Sequence, residues 1–548
     1  MQRGARLGVD VGGTFTDLVA LVDGRLVTGK VPSTPRDQSE GVMSSLRAAG
    51  VEEAAAFAHG MTVATNALLE RRGARTGLVT TAGFRDVIEI GRQDRPALYA
   101  LAQRRPEPLV PRELRFCVRE RMGPDGELAP LDDGSVREAI EGLREAEVEA
   151  VAVCLLFAFL HPEHERAVGE AIRDALPDVH VSLSSEVLPE FREYERFSTT
   201  VADAYLGPRL RSYLERLGSR ADEAGVPEPL VMQSSGGVIE LEAAAANAAA
   251  CVLSGPAGGV VGAAHVARAG GFEDVLTFDM GGTSTDVAPV VGGEPQTSTE
   301  SVVAGVPIKL PMVDVHTVSA GGGSIAWADA GGALRVGPRS AGADPGPAAY
   351  GKGGEEATVT DANLLCGLLA DGAELGGEVT LDRGRAEEAL GRLGEKLGLD
   401  ALETALGVIR VANAEMSRAL RVISVERGLD TRDFALVAFG GAGGMHACAL
   451  AEELGMRRVL IPRAGGVLSA LGLAMSDVRR DYVRPLLCSV DETRRLEDPF
   501  AEMEKAARED LDDPELRRLA DLRYRRQSFE LTVDASEPDA LAENFHAA

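Results

Sequence analysis

An eight-residue segment occurs twice in this chain, as Asp10-Val11-Gly12-Gly13-Thr14-Phe15-Thr16-Asp17 and again as Asp279-Met280-Gly281-Gly282-Thr283-Ser284-Thr285-Asp286, with six of eight positions identical. Each copy joins one short apolar run to another, so each is predicted to turn a strand back into a second strand. A repeat of this kind indicates two similar half-domains that face each other. Two glycine-rich hairpins at one cleft are suited to hold the phosphates of a nucleotide between them.

This strand-to-strand context excludes two common nucleotide folds. In Rossmann and P-loop proteins the glycine loop leads from a strand into a helix. Here the runs 7–9 and 18–22 flank the first copy, and the runs 275–278 and 287–291 flank the second. Asp23-Gly24 is a two-residue hairpin signal, so 25–31 is predicted to return as a third strand.

Helical and strand patterns alternate along the rest of the chain, which predicts the α/β class. Helices are predicted over 135–145, 161–176 and 402–427, and strands within 151–159, 180–183 and 434–439. The segment 191–224 is predicted to be a long helix interrupted near Gly207-Pro208. Ser254-Gly255-Pro256-Ala257 is predicted to start another helix, because proline suits a first turn.

The residue types of both segments suit phosphate and magnesium binding. Glycine admits positive φ and lets backbone N–H groups approach phosphate oxygens, and the threonines add hydroxyl donors. The predicted nucleotide contacts are Gly12, Gly13, Thr14, Phe15, Thr16, Gly281, Gly282, Thr283 and Ser284. Asp10 and Asp279 are the candidate Mg²⁺ ligands, through water, since Mg²⁺ prefers carboxylate oxygen and keeps much of its hydration. They are also the candidate catalytic residues, because a carboxylate can orient or deprotonate an attacking oxygen.

A third glycine cluster, Gly440-Gly441-Ala442-Gly443-Gly444, follows a predicted strand and precedes a helical run. An ordinary tight turn is the alternative interpretation. Because the cluster comes after both phosphate segments, Gly440, Gly441 and Gly443 are the candidates for contact with the adenosine end of a nucleotide.

Composition narrows the class of partner. The chain has 548 residues, a net charge of −28 and a pI of about 4.8. Its length predicts several domains, and its acidity argues against nucleic-acid binding, which needs basic surface. Six scattered cysteines form no CxxC pair and are expected to be buried small side chains. No apolar run reaches the roughly 18 residues of a membrane span and no signal segment precedes Gly12, so the expected location is the cytoplasm.

The three glycine landmarks resemble the ATPase superfamily of actin, sugar kinases and heat-shock chaperones. Further motifs resemble, more narrowly, the hydantoinase A/5-oxoprolinase family. They are His59-Gly60-Met61-Thr62-Val63-Ala64-Thr65-Asn66, Arg192-Glu193-Tyr194-Glu195-Arg196, Ser254 to Gly259, Ala320 to Ala326, Ser340 to Pro347 and Thr360-Asp361-Ala362-Asn363.

The resemblance implies a fold of two ribonuclease-H-like lobes around a nucleotide cleft, with a partial C-terminal α+β domain. The expected regions are 1–185, 186–485 and 486–548. It also implies ATP and Mg²⁺ as cofactors, and an ATP-dependent hydrolase subunit that opens a cyclic amide by phosphorylating its carbonyl oxygen. A ketone-carboxylase subunit is one alternative, and a non-enzymatic ATP switch is another. A hydantoinase B-like second subunit is the expected partner, which makes a hetero-oligomer.

Five further residues are candidates for substrate contact. His59, Arg192 and Arg196 fall within family-like motifs, and the two arginines are spaced one helical turn apart. Asp314 and His316 are predicted to lie on one face of a strand, since they are two residues apart. The alternatives are a structural, hydrogen-bonded histidine and a solvated helix face.

Overall fold

The computed structural model describes residues 5–12, 15–22, 25–34, 37–50, 54–95, 99, 105–375, 379–527 and 529–548. The chain divides into two compact units, each built from two separate stretches of sequence. The first unit is Met1–Ala74 with Tyr205–Val478, and the second is Arg75–Ala204 with Arg479–Ala548. Both glycine hairpins belong to the first unit.

Strands and short helices alternate through the first third of the chain. The elements of residues 5–187 are β1 (Ala5–Val11), β2 (Phe15–Val22), β3 (Arg25–Pro32), α1 (Gln38–Ala49), β4 (Ala54–Gly60), α2 (Val63–Leu69), β5 (Thr76–Thr81), α3 (Val87–Ile90), β6 (Arg115–Val118), β7 (Arg121–Gly123), β8 (Gly126–Ala129), α4 (Asp133–Glu145), β9 (Ala150–Cys154), α5 (Glu163–Ala175), β10 (His180–Leu183) and α6 (Ser184–Val187).

Longer helices follow. The elements of residues 193–318 are α7 (Glu193–Glu223), β11 (Leu230–Met232), β12 (Val238–Ile239), α8 (Leu241–Ala246), α9 (Ser254–Ala269), β13 (Val275–Met280), β14 (Thr285–Val291), β15 (Glu294–Pro295), β16 (Thr297–Ser298), β17 (Ser301–Val303), β18 (Val306–Ile308), β19 (Met312–Val313) and β20 (His316–Val318). Those of residues 319–548 are β21 (Ser324–Ala328), β22 (Leu334–Ser340), α10 (Val359–Leu365), β23 (Glu374–Leu375), β24 (Val379–Thr380), α11 (Arg383–Leu397), α12 (Ala401–Ile423), β25 (Ala435–Phe439), α13 (Gly443–Leu454), β26 (Val459–Leu460), α14 (Leu468–Met475), α15 (Glu497–Asp510), β27 (Leu519–Leu522), β28 (Leu531–Asp534) and α16 (Leu541–Ala547).

The first unit contains two sheets with the same strand order. One runs β12-β11-β4-β1-β2-β3, and the other runs β15-β14-β13-β25-β26 with β20 beside β14. In each sheet an antiparallel meander (β1-β2-β3 or β13-β14-β15) continues into two strands parallel to its first strand. This repeated order confirms the prediction of two ribonuclease-H-like lobes.

The two glycine segments are equivalent hairpins in these sheets. Asp10 pairs with Asp17 across the first, and Asp279 pairs with Asp286 across the second. The same hydrogen bond closes both turns, since the N–H of Gly12 donates to the Phe15 carbonyl and that of Gly281 to the Ser284 carbonyl, each at 3.0 Å. The predicted turn residues Asp23 and Gly24 lie outside the described residues, but Val22 pairs with Arg25 as that turn requires.

Helix α9 lies between the two sheets in the chain order, α14 follows the second sheet, and the two helices meet backbone to backbone. A Cβ atom at Gly472 would lie 1.9 Å from the Gly258 carbonyl oxygen, and one at Gly262 would lie 2.6 Å from that of Leu468. Helix α14 also lies directly on β1, where a Cβ at Gly8 would lie 2.0 Å from the Ala470 oxygen. Only glycine permits such close approaches.

The predicted interruption of the long helix is wrong, because α7 continues through Pro208. Proline removes one helical hydrogen bond, but the residue before it is Gly207, which has no Cβ to clash with the proline ring. Side chains on both sides of the proline are buried, including Leu206 and Leu210. Their packing stabilises the helix across the missing bond.

The second unit has its own parallel sheet, ordered β10-β9-β5-β6. Its later stretch contributes α15, the hairpin β27-β28 and α16, with a small core of Phe500, Val533, Ala535 and Leu541. No helix among the described residues combines the length and apolar character that a membrane span requires.

Candidate nucleotide site

Four aspartates stand at the two hairpins. Burial raises the pKa of Asp10 to about 7, with a further contribution from the Asp17 charge. Burial also raises the pKa of Asp279 to about 8, with contributions from Asp286, Asp10 and Asp17. Because the first hairpin acts on Asp279, carboxylates from both lobes share one electrostatic field. Carboxylates this close repel one another when they are ionised, unless a cation binds between them.

One oxygen of Asp10 is left without a partner. Oδ1 is buried and accepts no hydrogen bond from the described residues. Two glycines surround it, since a Cβ at Gly60 would lie 2.9 Å away and one at Gly255, in the first turn of α9, 3.5 Å away. A buried carboxylate oxygen of this kind needs an explanation, and a ligand that reaches it is one.

Asp279 has the corresponding neighbour in the second lobe. Gly440 follows β25, has a φ of +78°, and would place a Cβ 2.2 Å from Oδ1 of Asp279. Gly60, the last residue of β4, pairs directly with Asp10, whereas Gly440 comes one residue after Phe439, the register partner of Asp279. In both lobes a glycine at the end of the adjacent parallel strand therefore admits the carboxylate.

The second hairpin presents open backbone donors. Its Gly281 and Gly282 carbonyls accept hydrogen bonds from the N–H groups of Gly322 (3.0 Å) and Gly323 (2.6 Å). Gly321 makes a close approach to this hairpin, because a Cβ there would lie 2.6 Å from the Thr283 carbonyl carbon. Within the described residues, the N–H groups of 282–284 donate no hydrogen bond. Adjacent free N–H groups form an anion-binding concavity.

The hydroxyl residues predicted to contact the nucleotide fall into a buried pair and an accessible pair. Thr16 and Thr285 are fully buried, and their hydroxyls bond within the protein, Thr16 with Ser33 (3.3 Å) and Thr285 with the Ala320 carbonyl. They hold the shape of the loops. Thr283 is exposed and Ser284 half-buried, so these two hydroxyls remain available. Gly13 and Thr14 lie outside the described residues.

The third glycine cluster is attached to the second hairpin. The Ala442 N–H donates to the Met280 carbonyl at 2.9 Å, and α13 begins at Gly443, which is buried. Gly441 is exposed, and a Cβ there would meet nothing within 4 Å. Of the three glycines predicted for adenosine, Gly441 therefore offers open space, whereas Gly440 and Gly443 fit backbone to backbone.

His59 lies in the core of the first lobe and not on an open surface. It is fully buried, its Nδ1 lies 3.1 Å from the Val9 carbonyl and its Nε2 lies 2.7 Å from the Tyr213 hydroxyl. Burial lowers its pKa to about 4, so the ring is neutral near pH 7. With both ring nitrogens held by partners inside the core, His59 is a structural histidine.

The two arginines of the second motif belong to the second unit and do not share a helix face. Arg192 precedes α7, has a φ of +79°, and pairs with Glu530 at 2.6 Å. Arg196 is fully buried and donates to the Leu155 carbonyl (2.9 Å) and the Ser184 hydroxyl (3.3 Å). A solvated helix face is therefore wrong for Arg196.

Asp314 and His316 are not on one continuous strand, because β19 ends at Val313 and β20 begins at His316. The Val315 N–H donates to the Val313 carbonyl, which makes a tight turn between the two strands. Asp314 is paired with Arg427, and His316 pairs in register with Val287 of β14. The two-residue spacing predicted a shared face only for an unbroken strand.

Magnesium fits this site through phosphate and water more than through a protein cage. No group of three or more histidine, cysteine, aspartate or glutamate residues in the described part of the chain forms a metal site. Mg²⁺ commonly uses one or two carboxylates together with substrate phosphates and waters. The partnerless Asp10 oxygen and the buried Asp279 meet that requirement.

Sequence reasoning missed several residues that build the site. Lys30 pairs with Asp17, Ser33 donates to the Gly12 carbonyl at 2.7 Å, and Thr360 donates to the Gly322 carbonyl at 2.7 Å. The Lys30 contact was available from the sequence. A two-residue turn at 23–24 sets the register of the hairpin, and that register places Lys30 opposite Asp17.

Two family models match the chain. Hydantoinase/oxoprolinase matches residues 196–482, and the Hydantoinase/oxoprolinase N-terminal region matches residues 6–176. The caprolactamase subunit alpha of Pseudomonas jessenii is 42% identical over 91% of this chain and 73% of its own length. The 5-oxoprolinase of Saccharomyces cerevisiae is 33% identical over 96% of this chain, which spans 46% of that enzyme.

Solved structures agree with these matches. The crystal structure of the ATP-dependent caprolactamase from Pseudomonas jessenii has a TM-score of 0.85 at 38% identity, over 99% of this chain and 84% of that one. A nucleotide-free structure of acetone carboxylase, described as an ATP-dependent system, has a TM-score of 0.83 at 28% identity, over 100% and 84%.

Proposed function

The chain belongs to the hydantoinase/oxoprolinase family, and from this premise we propose that it is the ATP-using subunit of an enzyme that opens a cyclic amide. The observation that carries the proposal is the pair of equivalent hairpins, whose aspartates share one field and leave the Asp10 Oδ1 without a partner. The substrate class is a hydantoin, 5-oxoproline or a lactam. It is supported by the identity to the caprolactamase subunit, which exceeds that to acetone carboxylase.

Each part of the site has a role in this proposal. Asp10 and Asp279 hold hydrated magnesium, which when bound supplies positive charge against the phosphates. The open N–H groups of residues 282–284, with the Thr283 and Ser284 hydroxyls, hold phosphate oxygens. Gly441, supported by Gly440 and Gly443, leaves room for adenosine beside α13.

The reaction needs ATP because a ring amide is a poor electrophile. Transfer of the terminal phosphoryl group to the amide oxygen makes that oxygen a leaving group. Water then attacks the activated carbon, the C–N bond breaks, and a second water releases phosphate. The products are ADP, phosphate and a linear amino acid, which carries an N-carbamoyl group when the substrate is a hydantoin. Catalysis of phosphoryl transfer is mainly positioning and charge stabilisation, which the hairpins provide.

A ketone carboxylase subunit is the second candidate. It is favoured by the similarity to acetone carboxylase over the full length of this chain. Phosphorylation of an enol oxygen would use the same hairpins. The caprolactamase, 5-oxoprolinase and acetone carboxylase relatives are enzymes, which argues against a non-enzymatic switch.

We further propose that full turnover needs a hydantoinase B-like second chain. The caprolactamase relative is itself named as subunit alpha. ATP activation and ring opening would then be divided between two chains, and this chain alone would hydrolyse ATP weakly or without coupling.

A coupled ATPase screen tests the proposal. The chain is assayed with Mg-ATP over hydantoins, 5-oxoproline, lactams and ketones, with and without bicarbonate, alone and with a hydantoinase B-like chain. Stimulation by a cyclic amide that is independent of bicarbonate supports the hydrolase. Stimulation by a ketone that requires bicarbonate supports the carboxylase instead, and ATP turnover that no compound stimulates contradicts both.

A further inference from the structure

The first hairpin continues into a line of charged side chains across three strands. Asp10 of β1 pairs in register with Asp17 of β2, and Asp17 pairs in register with Lys30 of β3. Directly paired residues of neighbouring antiparallel strands point to the same face of the sheet. Two carboxylates and one ammonium group therefore stand in a row beside the first glycine loop.

Lys30 is held close to the loop. Its Nζ forms an ion pair with the Asp17 carboxylate and lies 5.0 Å from the centre of the Phe15 ring. Phe15 closes the loop, since its carbonyl accepts the Gly12 N–H. The Lys30 side chain remains 34% exposed, so the ammonium group is accessible to a ligand in the loop.

The second hairpin has no such cation at the equivalent position. There Asp279 pairs with Asp286, and Asp286 pairs with Thr317 of β20, whose hydroxyl donates to Asp286 at 2.6 Å. The row Asp-Asp-Lys of the first lobe thus corresponds to Asp-Asp-Thr in the second. The two loops are alike in backbone but differ in charge by one unit.

This difference assigns the ends of a nucleotide. The terminal phosphate of ATP carries the most negative charge and is the group that is transferred. It is therefore the phosphate that an ammonium group stabilises most. Asp17 is half-buried, and its ion pair holds Lys30 beside the loop. Lysine acts as a mobile point charge on a flexible stem, which can exchange one anionic partner for another.

We propose that Lys30 is a phosphate-binding residue, whose ammonium group moves from Asp17 to the terminal phosphate of ATP when the nucleotide binds. The proposal rests on the ATP site argued above. Thr317, at the corresponding place in the second lobe, donates its hydroxyl to Asp286 and brings no charge to the site.

Nucleotide binding by the intact chain tests this without any turnover. Affinities for Mg-AMP-PNP, Mg-ADP and AMP are measured by titration calorimetry for the wild type, Lys30→Met and Lys30→Arg. Loss of a charge-assisted contact predicts binding of AMP-PNP by Lys30→Met that is weaker by at least about tenfold. ADP affinity should fall by less than about threefold, AMP affinity should not change, and Lys30→Arg should recover most of the loss.

Two control variants make the result specific. Lys396→Met removes an exposed lysine on α11 and should leave all affinities unchanged. Thr317→Val removes the hydroxyl at the equivalent position and should change the affinity for AMP-PNP by less than about twofold. Melting temperatures of all variants show whether the fold is kept.

The outcomes separate this inference from the site itself. If the wild type binds AMP-PNP and Lys30→Met binds it equally well, Lys30 only neutralises Asp17 and the inference fails alone. Equal losses for AMP-PNP and ADP place the lysine at an inner phosphate and also overturn it. If the wild type binds none of the three nucleotides, both the inference and the proposed function fall.

Discussion

Gly440 and Asp279 are in direct steric contact, such that a Cβ atom at position 440 would lie 2.2 Å from Oδ1 of the aspartate. The contact joins the third glycine cluster to the second hairpin. It makes the position of the carboxylate depend on a residue without a side chain, 161 positions along the sequence. The carboxylate and the cluster are therefore one structural feature, and a change at either residue should alter both.

The two loop aspartates should be needed for ATP turnover. Asp10→Asn and Asp279→Asn each remove a charge that compensates magnesium, and such electrostatic contributions are worth several kcal/mol in catalysis. We expect the ATPase rate to fall by at least about a hundredfold while both variants remain folded. The exposed Asp178→Asn is the matched control. Near-normal rates in both loop variants would mean that these aspartates do not serve ATP.

Substitutions at two neighbouring glycines of the third cluster should have different effects, one on nucleotide affinity and the other on stability. Gly441→Val adds a side chain in open space, so the fold should survive while nucleotide affinity drops by about tenfold or more. Gly440→Ala instead meets Asp279 and a φ of +78°, so it should lower the melting temperature. Calorimetric titration and thermal unfolding measure the two effects. Unchanged affinity in a folded Gly441→Val chain would reduce the cluster to a turn.

Stability without ligand should fall as pH rises. The pKa of Asp279 is raised from 3.8 to about 8, so the folded chain holds a proton that the unfolded chain has lost between these values. Folding is therefore penalised progressively from about pH 4 to pH 8. Asp279→Asn removes this penalty, so the variant should be more stable than wild type at pH 8 and nearly equal to it at pH 4.5. Thermal unfolding at both pH values checks this, and a constant difference between the two chains would contradict it.

Binding of Mg-ATP should release protons from the two loop aspartates. A cation that joins Asp10 and Asp279 must displace their protons, so binding of Mg-ATP should release protons at pH 6.5. Titration in two buffers of different ionisation enthalpy measures the release. Asp279→Asn should release fewer protons than the wild type. Equal release from both chains would show that the proton comes from elsewhere.

Arg196 should matter for stability and not for nucleotide affinity. It is fully buried near Glu165, a buried carboxylate whose pKa is raised by burial and opposed by the arginine charge. Arg196→Met leaves that carboxylate without its cation, a change that typically costs about 3–5 kcal/mol. Adding Glu165→Gln should restore part of the melting temperature. Arg335→Met, which breaks an exposed pair with Asp329, should have almost no effect.

Much of the fold could be predicted from the sequence because the decisive signals are local. The duplicated hairpins, their flanking apolar runs and the turn at 23–24 are each contained in about ten residues, and α9 begins at the predicted Ser254. The predicted break at Pro208 was wrong because burial of Leu206 and Leu210 is a tertiary effect. The predicted strand through Asp314 was wrong because a turn at Val315 interrupts it.

The candidate site was harder to predict, since its residues come from distant segments. The carboxylate of Asp10 lies close to Gly60 and Gly255. No pattern in these three segments of sequence predicts that they are neighbours. The sequence made Arg196 a candidate for substrate contact because the carboxylate near it, Glu165, lies on another helix. A local motif does not reveal that neighbour. Lys30 is different, since hairpin register alone places it opposite Asp17. The proposed sites in the nucleotide cleft therefore combine local motifs with packing that only the structure supplies.

The glycine contacts between α9 and α14 have a consequence for how this sequence can change over time. At Gly258, Gly262 and Gly472 the helices interlock without side chains, so a single methyl group at Gly472 has no vacant volume to enter. A saturation library should therefore be almost intolerant at these three positions while accepting many residues on the exposed face of α11. Descendants of this chain can therefore change their surface residues freely, but we expect them to keep the glycines at this helix crossing.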